Sequence, residues 1–283
     1  MPEELELCAP HLRLAARAWG SPDGIPVLAV HGWLDNAASF DALAPRLPGV
    51  RLVALDLTGH GCSDHRPPGA HYHFVDFIPD IVAAADALGW ERFNLLGHSM
   101  GGGIVAFVAA ILPERIGRVA MIEGLGPPTS NPDDGPANLR KAIEQMNALP
   151  RKRLPVYPNL EAAIHARCEA SGLSWAAAAT LVERGVQPVG DGFGWRTDPR
   201  LRFVSPLYLS EPQILAYMAR IAAPALLICG ADGYLVKRAY MRERYARIGG
   251  LTVKILPGGH HPHLEDPEPC ARLLGPFFTR TSD

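Results

Sequence analysis

An excess of charge of either sign is what this chain most lacks. Its 283 residues carry 27 Lys and Arg against 29 Asp and Glu, a formal net charge of −2. That balance gives no electrostatic reason to expect a nucleic-acid or strongly anionic partner. Cysteine is scarce: Cys8, Cys62, Cys168, Cys229 and Cys270 are odd in number, far apart, and form no CxxC or finger-like spacing. A reduced, intracellular protein is the simplest reading. Long apolar runs are missing as well. The richest, GGGIVAFVAAIL, is broken at Pro113 and falls short of a membrane span. The acidic opening MPEELELCAP lacks an apolar core of signal-peptide length, so the expected location is the cytoplasm. No internal repeat is visible.

What is present is ordinary core material: 48% of the residues are apolar and 20% charged, enough for one large domain or a domain with a sizeable insertion. Gly and Pro are plentiful, which favours many turns. Segments 5–10 and 12–19 alternate as exposed antiparallel strands do. The continuous apolar runs 25–30 and 50–57 read as strands buried on both faces. The stretch 37–47 has helical spacing, as does 74–89, where Pro79 is expected near the start or at a kink. Strand and helix patterns continue through RFNLLGH, GGGIVAFVAAILP and IGRVAMIE (116–123). From Gly124 to Ala223 the rhythm breaks into several helical patterns around one turn-rich piece, QPVGDGFGWRTDPRLRF. It resumes with PALLICG, a helix, LTVKILPG and a final helix. The expected fold is therefore α/β: a mostly parallel sheet covered by helices on both faces. Segments 1–123 and 224–283 would form the core, and 124–223 a mainly helical cap over the carboxyl edge, where open α/β sheets bind ligands.

One short stretch carries the chemistry. Gly97-His98-Ser99-Met100-Gly101 matches G-x-S-x-G, flanked by an apolar strand pattern and a helix pattern. A serine at a sharp strand-to-helix turn needs strained backbone angles and small neighbours, because strand and helix nearly touch. The turn exposes Oγ beside the first helical N–H groups.

Four motifs occur in order: HGW (31–33), DLTGHGCSD (56–64), GHSMG and GGHHPHLEDPE (258–268). Together they resemble the α/β-hydrolase superfamily over nearly the whole chain, and HGWLDNAASFDALAPRLP resembles its serine hydrolase-like proteins. The resemblance implies an α/β-hydrolase fold with an eight-stranded sheet, a nucleophile at Ser99 and a general base at His260. His261 and His263 are close rivals for that base. It implies an acid after one of two strands. Glu123, closing RVAMIE, is the favoured position and Asp232 the alternative. In the common G-x-x-D-x-x-V pattern, anchoring on Gly230 and Val236 puts the acid position on Gly233, one residue past Asp232. The oxyanion donors implied by motif are the backbone N–H groups of Trp33 and Met100.

No metal or organic cofactor is expected. The run HHPH lacks a matched carboxylate or cysteine cluster, and a metal there would take the base out of catalysis. The substrate class expected is a small-molecule acyl compound, most simply a carboxylic ester. C–C bond hydrolysis, haloperoxidase-like chemistry and a non-catalytic binding role are the alternatives. Within the inserted block, Trp175, Phe193, Trp195, Tyr208 and Tyr217 could line a pocket or simply be core. Arg196, Arg200 and Arg202 could meet an anionic acyl group or form local salt bridges. Segment 123–138 has the composition of a hinge. Oligomeric state is not legible.

Overall fold

The computed structural model describes residues 1–151 and 154–280. The first half of the chain alternates strands and helices: β1 (Glu3–Cys8), β2 (Arg13–Trp19), β3 (Ile25–Val30), β4 (Val50–Leu55), α1 (Phe77–Ala87), β5 (Phe93–His98), α2 (Met100–Ile111) and β6 (Ile116–Ile122). The inserted block follows, with α3 (Gly135–Ala148), α4 (Leu160–Ser171), α5 (Trp175–Gly185), β7 (Val186–Val189), β8 (Gly192–Trp195) and α6 (Glu211–Met218). The chain closes with β9 (Ala225–Gly230), α7 (Met241–Arg247), β10 (Leu251–Leu256), α8 (Pro262–Glu265) and α9 (Pro267–Thr279).

Eight strands form one sheet in the order β1-β2-β4-β3-β5-β6-β9-β10. β2 is antiparallel to β1 and β4, and the remaining neighbours run parallel. The central strands are apolar on both faces. In β3, Leu28 and Val30 belong to one core cluster and Val27 and Ala29 to the other, on the opposite side. Strand order reverses between β3 and β5: β4 lies to one side of β3 and β5 to the other. The loops leaving β3 and β5 therefore diverge and open a crevice at the carboxyl edge. Pairing of Val30 with Gly97, and of Gly97 with Met121, brings the ends of β3, β5 and β6 level at that crevice.

Three local expectations change. Residues 37–47 form two short 3-10 turns, Ala37–Phe40 and Ala44–Arg46, rather than one helix. Pro45 has no N–H to give and its ring would crowd the carbonyl a turn earlier. The turn-rich piece of the inserted block contains the β7–β8 hairpin, paired from Val186–Trp195 to Val189–Gly192; a hairpin this short lacks the length needed for a clear alternating pattern. The block also packs in two parts. Residues of α4 and α5 form a separate apolar cluster, whereas Ile214 and Met218 of α6 join the cluster around α2. There Tyr217 stacks on Phe107 with ring centroids 4.1 Å apart. By packing, α6 belongs with the core layer.

The inserted block is anchored by charge. Arg184 of α5 is buried and bonds Asp56 through Nε at 3.0 and 3.1 Å and Glu4 through Nη1 at 2.8 and 3.0 Å. Asp56 also accepts from the N–H groups of Ala37 and Cys62, both at 2.7 Å, so this buried carboxylate is fully partnered.

Candidate active site

Ser99 sits between the last residue of β5 and the first of α2, with φ +53° and ψ −117°. Two glycines make that turn possible. A Cβ on Gly97 would lie 2.4 Å from the Gly101 carbonyl oxygen, and one on Gly101 would lie 2.1 Å from that of Val30. Gly102 and Gly103 face the backbone of Gly124 and Gly126 in the loop after β6. Helix α2 therefore packs closely on that loop. Ser99 also donates its own N–H to the Ile122 carbonyl at 2.8 Å, which ties the elbow to the end of β6.

The loop after β10 brings His260 over the serine. His260 Nε2 lies 2.8 Å from Ser99 Oγ, and Nδ1 lies 3.2 Å from Glu123 Oε2. The ring is partly exposed, at 30% of its side-chain surface, while the Glu123 side chain is fully buried. Glu123 follows β6 with φ +49°. Its Oε1 accepts from the Gly230 N–H at 2.8 Å and its Oε2 from the Tyr234 N–H at 3.1 Å. The buried carboxylate thus takes two amide N–H donors and faces the imidazole Nδ1. Nδ1 then carries the proton of the neutral ring, leaving Nε2 free to accept one from the serine hydroxyl.

Of the sequence candidates for the acid, the structure brings Glu123 to His260. Asp232 is exposed, and its carboxylate has no hydrogen bond or ion pair among the described residues. The Gly233 position explains the displacement: a Cβ there would lie 2.3 Å from Glu123 Oε1. The Glu123 carboxylate occupies the space a side chain at 233 would need. Of the rival histidines, His263 is buried with Nε2 on Ser39 Oγ at 2.8 Å, and His261 faces Asp35 at 3.5 Å. The residues with positive φ other than glycine, among those described, are Leu34, Ser99 and Glu123. All three lie beyond strand ends at the crevice, where such backbone strain commonly accompanies function.

Ser99, Met100 and Trp33 line one cavity of about 410 Å³. As the first residue of α2, Met100 has an N–H with no acceptor inside the helix. The half-exposed Trp33 ring donates its Nε1–H to the Leu201 carbonyl at 2.9 Å, so it both lines the cavity and ties core to inserted block. Tyr208 is the one member of the aromatic set from that block that reaches this cavity among the described residues. Tyr72, Phe74, Phe77, Phe203 and Tyr234 also line it; local pattern does not reveal which aromatic side chains of separate segments converge on one serine. Arg200 is buried against Asp198 and the carbonyls of Arg66, Pro67 and Ala70, Arg196 bonds the Val186 carbonyl, and Arg202 lines a different cavity.

Two buried histidines brace the loop that carries Trp33. His31 gives Nδ1–H to the Gly32 carbonyl at 2.7 Å and accepts the Leu57 N–H on Nε2 at 3.0 Å. His60 gives Nδ1–H to Thr58 at 3.2 Å and accepts the Leu34 N–H at 3.3 Å. Both rings are therefore neutral. Burial pushes the His60 pKa down to about 3 and lowers that of His31. The unfolded chain binds these protons first, so stability present above the ordinary histidine pKa is lost as pH falls from about 6.5 toward 3. By pH 5 the His60 ring alone should cost about 2 kcal/mol. Urea midpoints at pH 7.5 and 5.0 check this. The midpoint should drop at pH 5.0, and by less in His60→Gln; equal drops in both chains would refute the assignment.

A family model described as the alpha/beta hydrolase fold matches residues 25–267. A serine hydrolase-like protein of Danio rerio is 32% identical over 97% of this chain and 88% of its own length. A crystal structure of a hypothetical protein from Pseudomonas aeruginosa PAO1 superposes with a TM-score of 0.94 at 45% identity, covering 98% of this chain and 100% of that one. A thioesterase domain from the curacin biosynthetic pathway superposes with a TM-score of 0.87 at 25% identity, over 97% of this chain and 99% of that domain. No helix among the described residues is long and apolar enough to cross a membrane.

Proposed function

The chain belongs to the α/β-hydrolase fold family, and on that premise we propose that it is a serine hydrolase. It cleaves a carboxylic ester or related acyl bond through an acyl-enzyme on Ser99. The observation that carries this reading is the 2.8 Å contact between Ser99 Oγ and His260 Nε2, with Nδ1 of the same ring directed at buried Glu123.

Ser99 Oγ attacks the acyl carbonyl carbon as its proton passes to His260 Nε2. The imidazolium so formed is stabilised by the Glu123 carboxylate, which itself stays ionised. The carbonyl oxygen becomes an oxyanion and accepts from the N–H groups of Met100 and Trp33. The tetrahedral adduct collapses, the bond to the alcohol or thiol breaks, and His260 returns the proton to that leaving group. Water then attacks the acyl-enzyme by the same route, releasing the acid and restoring Ser99.

The cavity bears on substrate class. Among the described residues no charged side chain lines it, and its walls are largely aromatic. A neutral, apolar acyl or alcohol group of small to medium size suits that lining, and a volume near 410 Å³ lies within the range of small-molecule sites. The likeness to a thioesterase domain supports the same acyl chemistry with a sulfur leaving group.

A fluorophosphonate probe tests the nucleophile directly. The folded protein should be labelled on the peptide containing Ser99, and labelling should be blocked by prior denaturation. Failure to label would falsify the active-nucleophile reading. Labelling without turnover across a panel of short-chain esters and thioesters would instead favour a binding role or a narrower substrate.

A further inference from the structure

A second cluster lies behind His260, outside the catalytic cavity. Asp35 from the loop after β3, His98 at the end of β5 and His261 after β10 converge with one ligand atom each, all within 4.8 Å of one another, and all three residues are buried. His98 Nδ1 and His261 Nε2 each lie 3.5 Å from Asp35 Oδ2. We propose that these three side chains form a binding site for a divalent transition ion, zinc in the first instance.

The first argument is an unmet contact. His98 Nε2 lies 2.8 Å from the His260 carbonyl oxygen, so the proton of the neutral ring must sit there. Nδ1 then presents a lone pair toward a carboxylate oxygen. It is buried without a hydrogen-bond partner. Two electron-rich atoms facing each other at this distance leave a place for a cation. The second argument is spacing. Zinc bonds imidazole nitrogen and carboxylate oxygen at about 2.0–2.2 Å, which sets tetrahedral ligand edges near 3.3–3.5 Å. Two edges of the cluster already have that length, and the third lies within 4.8 Å. The surrounding contacts suit ligation. The N–H of His98 on the His260 carbonyl fixes its tautomer, and Arg167 of α4 holds Asp35 Oδ1, leaving Oδ2 available. The nearby guanidinium opposes a dication, so affinity should fall below that of a dedicated structural zinc site. Two imidazoles and one carboxylate are a borderline-soft set that favours zinc over calcium or magnesium. Bound there, the ion would tie two loops to the end of β5 beneath the His260 backbone.

The test uses the full chain, stripped with chelator and titrated with zinc sulfate by calorimetry. One zinc per chain is expected, and zinc K-edge absorption should report two imidazoles, a light-atom remainder and no sulfur. His261→Phe and Asp35→Asn should each weaken binding more than about 10-fold, with circular dichroism confirming that each variant is folded. The absorption measurement needs no variant, so it holds if either substitution prevents folding. Absence of saturable binding, sulfur around the metal, or binding that survives both variants would overturn the proposal. These readouts are independent of hydrolase activity, so failure of the proposed function leaves them intact.

Discussion

Replacing Ser99 with alanine should lower kcat by roughly 10³–10⁶ while leaving the fold intact. The substitution removes one atom, Oγ, whose partner is His260 Nε2. His260 is partly exposed, so the freed nitrogen can turn to water and no buried orphan is created. Alanine carries a Cβ as serine does, so the backbone strain at φ +53° is carried equally by both chains. The thermal midpoint should accordingly change little, and the loss should appear in turnover. Retention of more than about a tenth of wild-type kcat on any ester that the protein hydrolyses would exclude Ser99 as the attacking group, because catalysis without a nucleophile keeps only the binding and oxyanion contributions.

Glu123→Gln should be nearly as damaging to turnover, by up to about 10⁴, whereas Asp232→Asn should stay within a few-fold of wild type. The difference comes from what each carboxylate touches. Both Glu123 oxygens face donors: the Gly230 N–H on Oε1, and the Tyr234 N–H and His260 Nδ1 on Oε2. Glutamine has one oxygen. Its NH₂ must confront a backbone N–H at one side or the other, in a site with no exposed surface. If the NH₂ faces His260, the ring is driven to the tautomer with its proton on Nε2, which cannot accept from serine. If it faces Gly230, a buried amide loses its acceptor at about 1–3 kcal/mol. Asp232 is exposed, and its amide should be neutral in both respects. Measuring kcat/KM alongside the folded fraction separates loss of chemistry from loss of fold. The reverse ranking of the two variants would reassign the acid.

Much of this arrangement was legible in the residues because it depends on local pattern. Alternation of apolar runs with helical spacing marks the parallel sheet, and the strand-glycine-serine-glycine-helix sequence marks the elbow at Ser99. Glu123 was readable as the residue ending a strand, although sequence alone left Asp232 in contention: choosing between them requires knowing that position 233 has no room for a side chain. Other features depend on contacts between distant segments. The neutral bracing of His31 and His60 and the bond from Trp33 to Leu201 leave no periodic trace. HHPH lacks a matched carboxylate or cysteine cluster in sequence, yet the fold delivers Asp35 to His261. The helical spacing of 37–47 misled because the positions it makes apolar are also the ones two successive tight turns bury.

The crowding between Glu123 and Gly233 has a historical consequence. The ends of β6 and β9 are two places from which a carboxylate could reach the same imidazole, but the space between them holds one. An aspartate arriving at 233 while Glu123 remains would bring its Cβ to 2.3 Å from the existing oxygen. Loss of Glu123 first would leave the His260 ring without its carboxylate partner and the Gly230 and Tyr234 amides without their acceptor. Descendants of an ancestral site could move the acid from one strand to the other only through an intermediate that is either overfilled or empty. The choice of strand should therefore be inherited as a block, with glycine at the vacant position travelling alongside the acid at the occupied one.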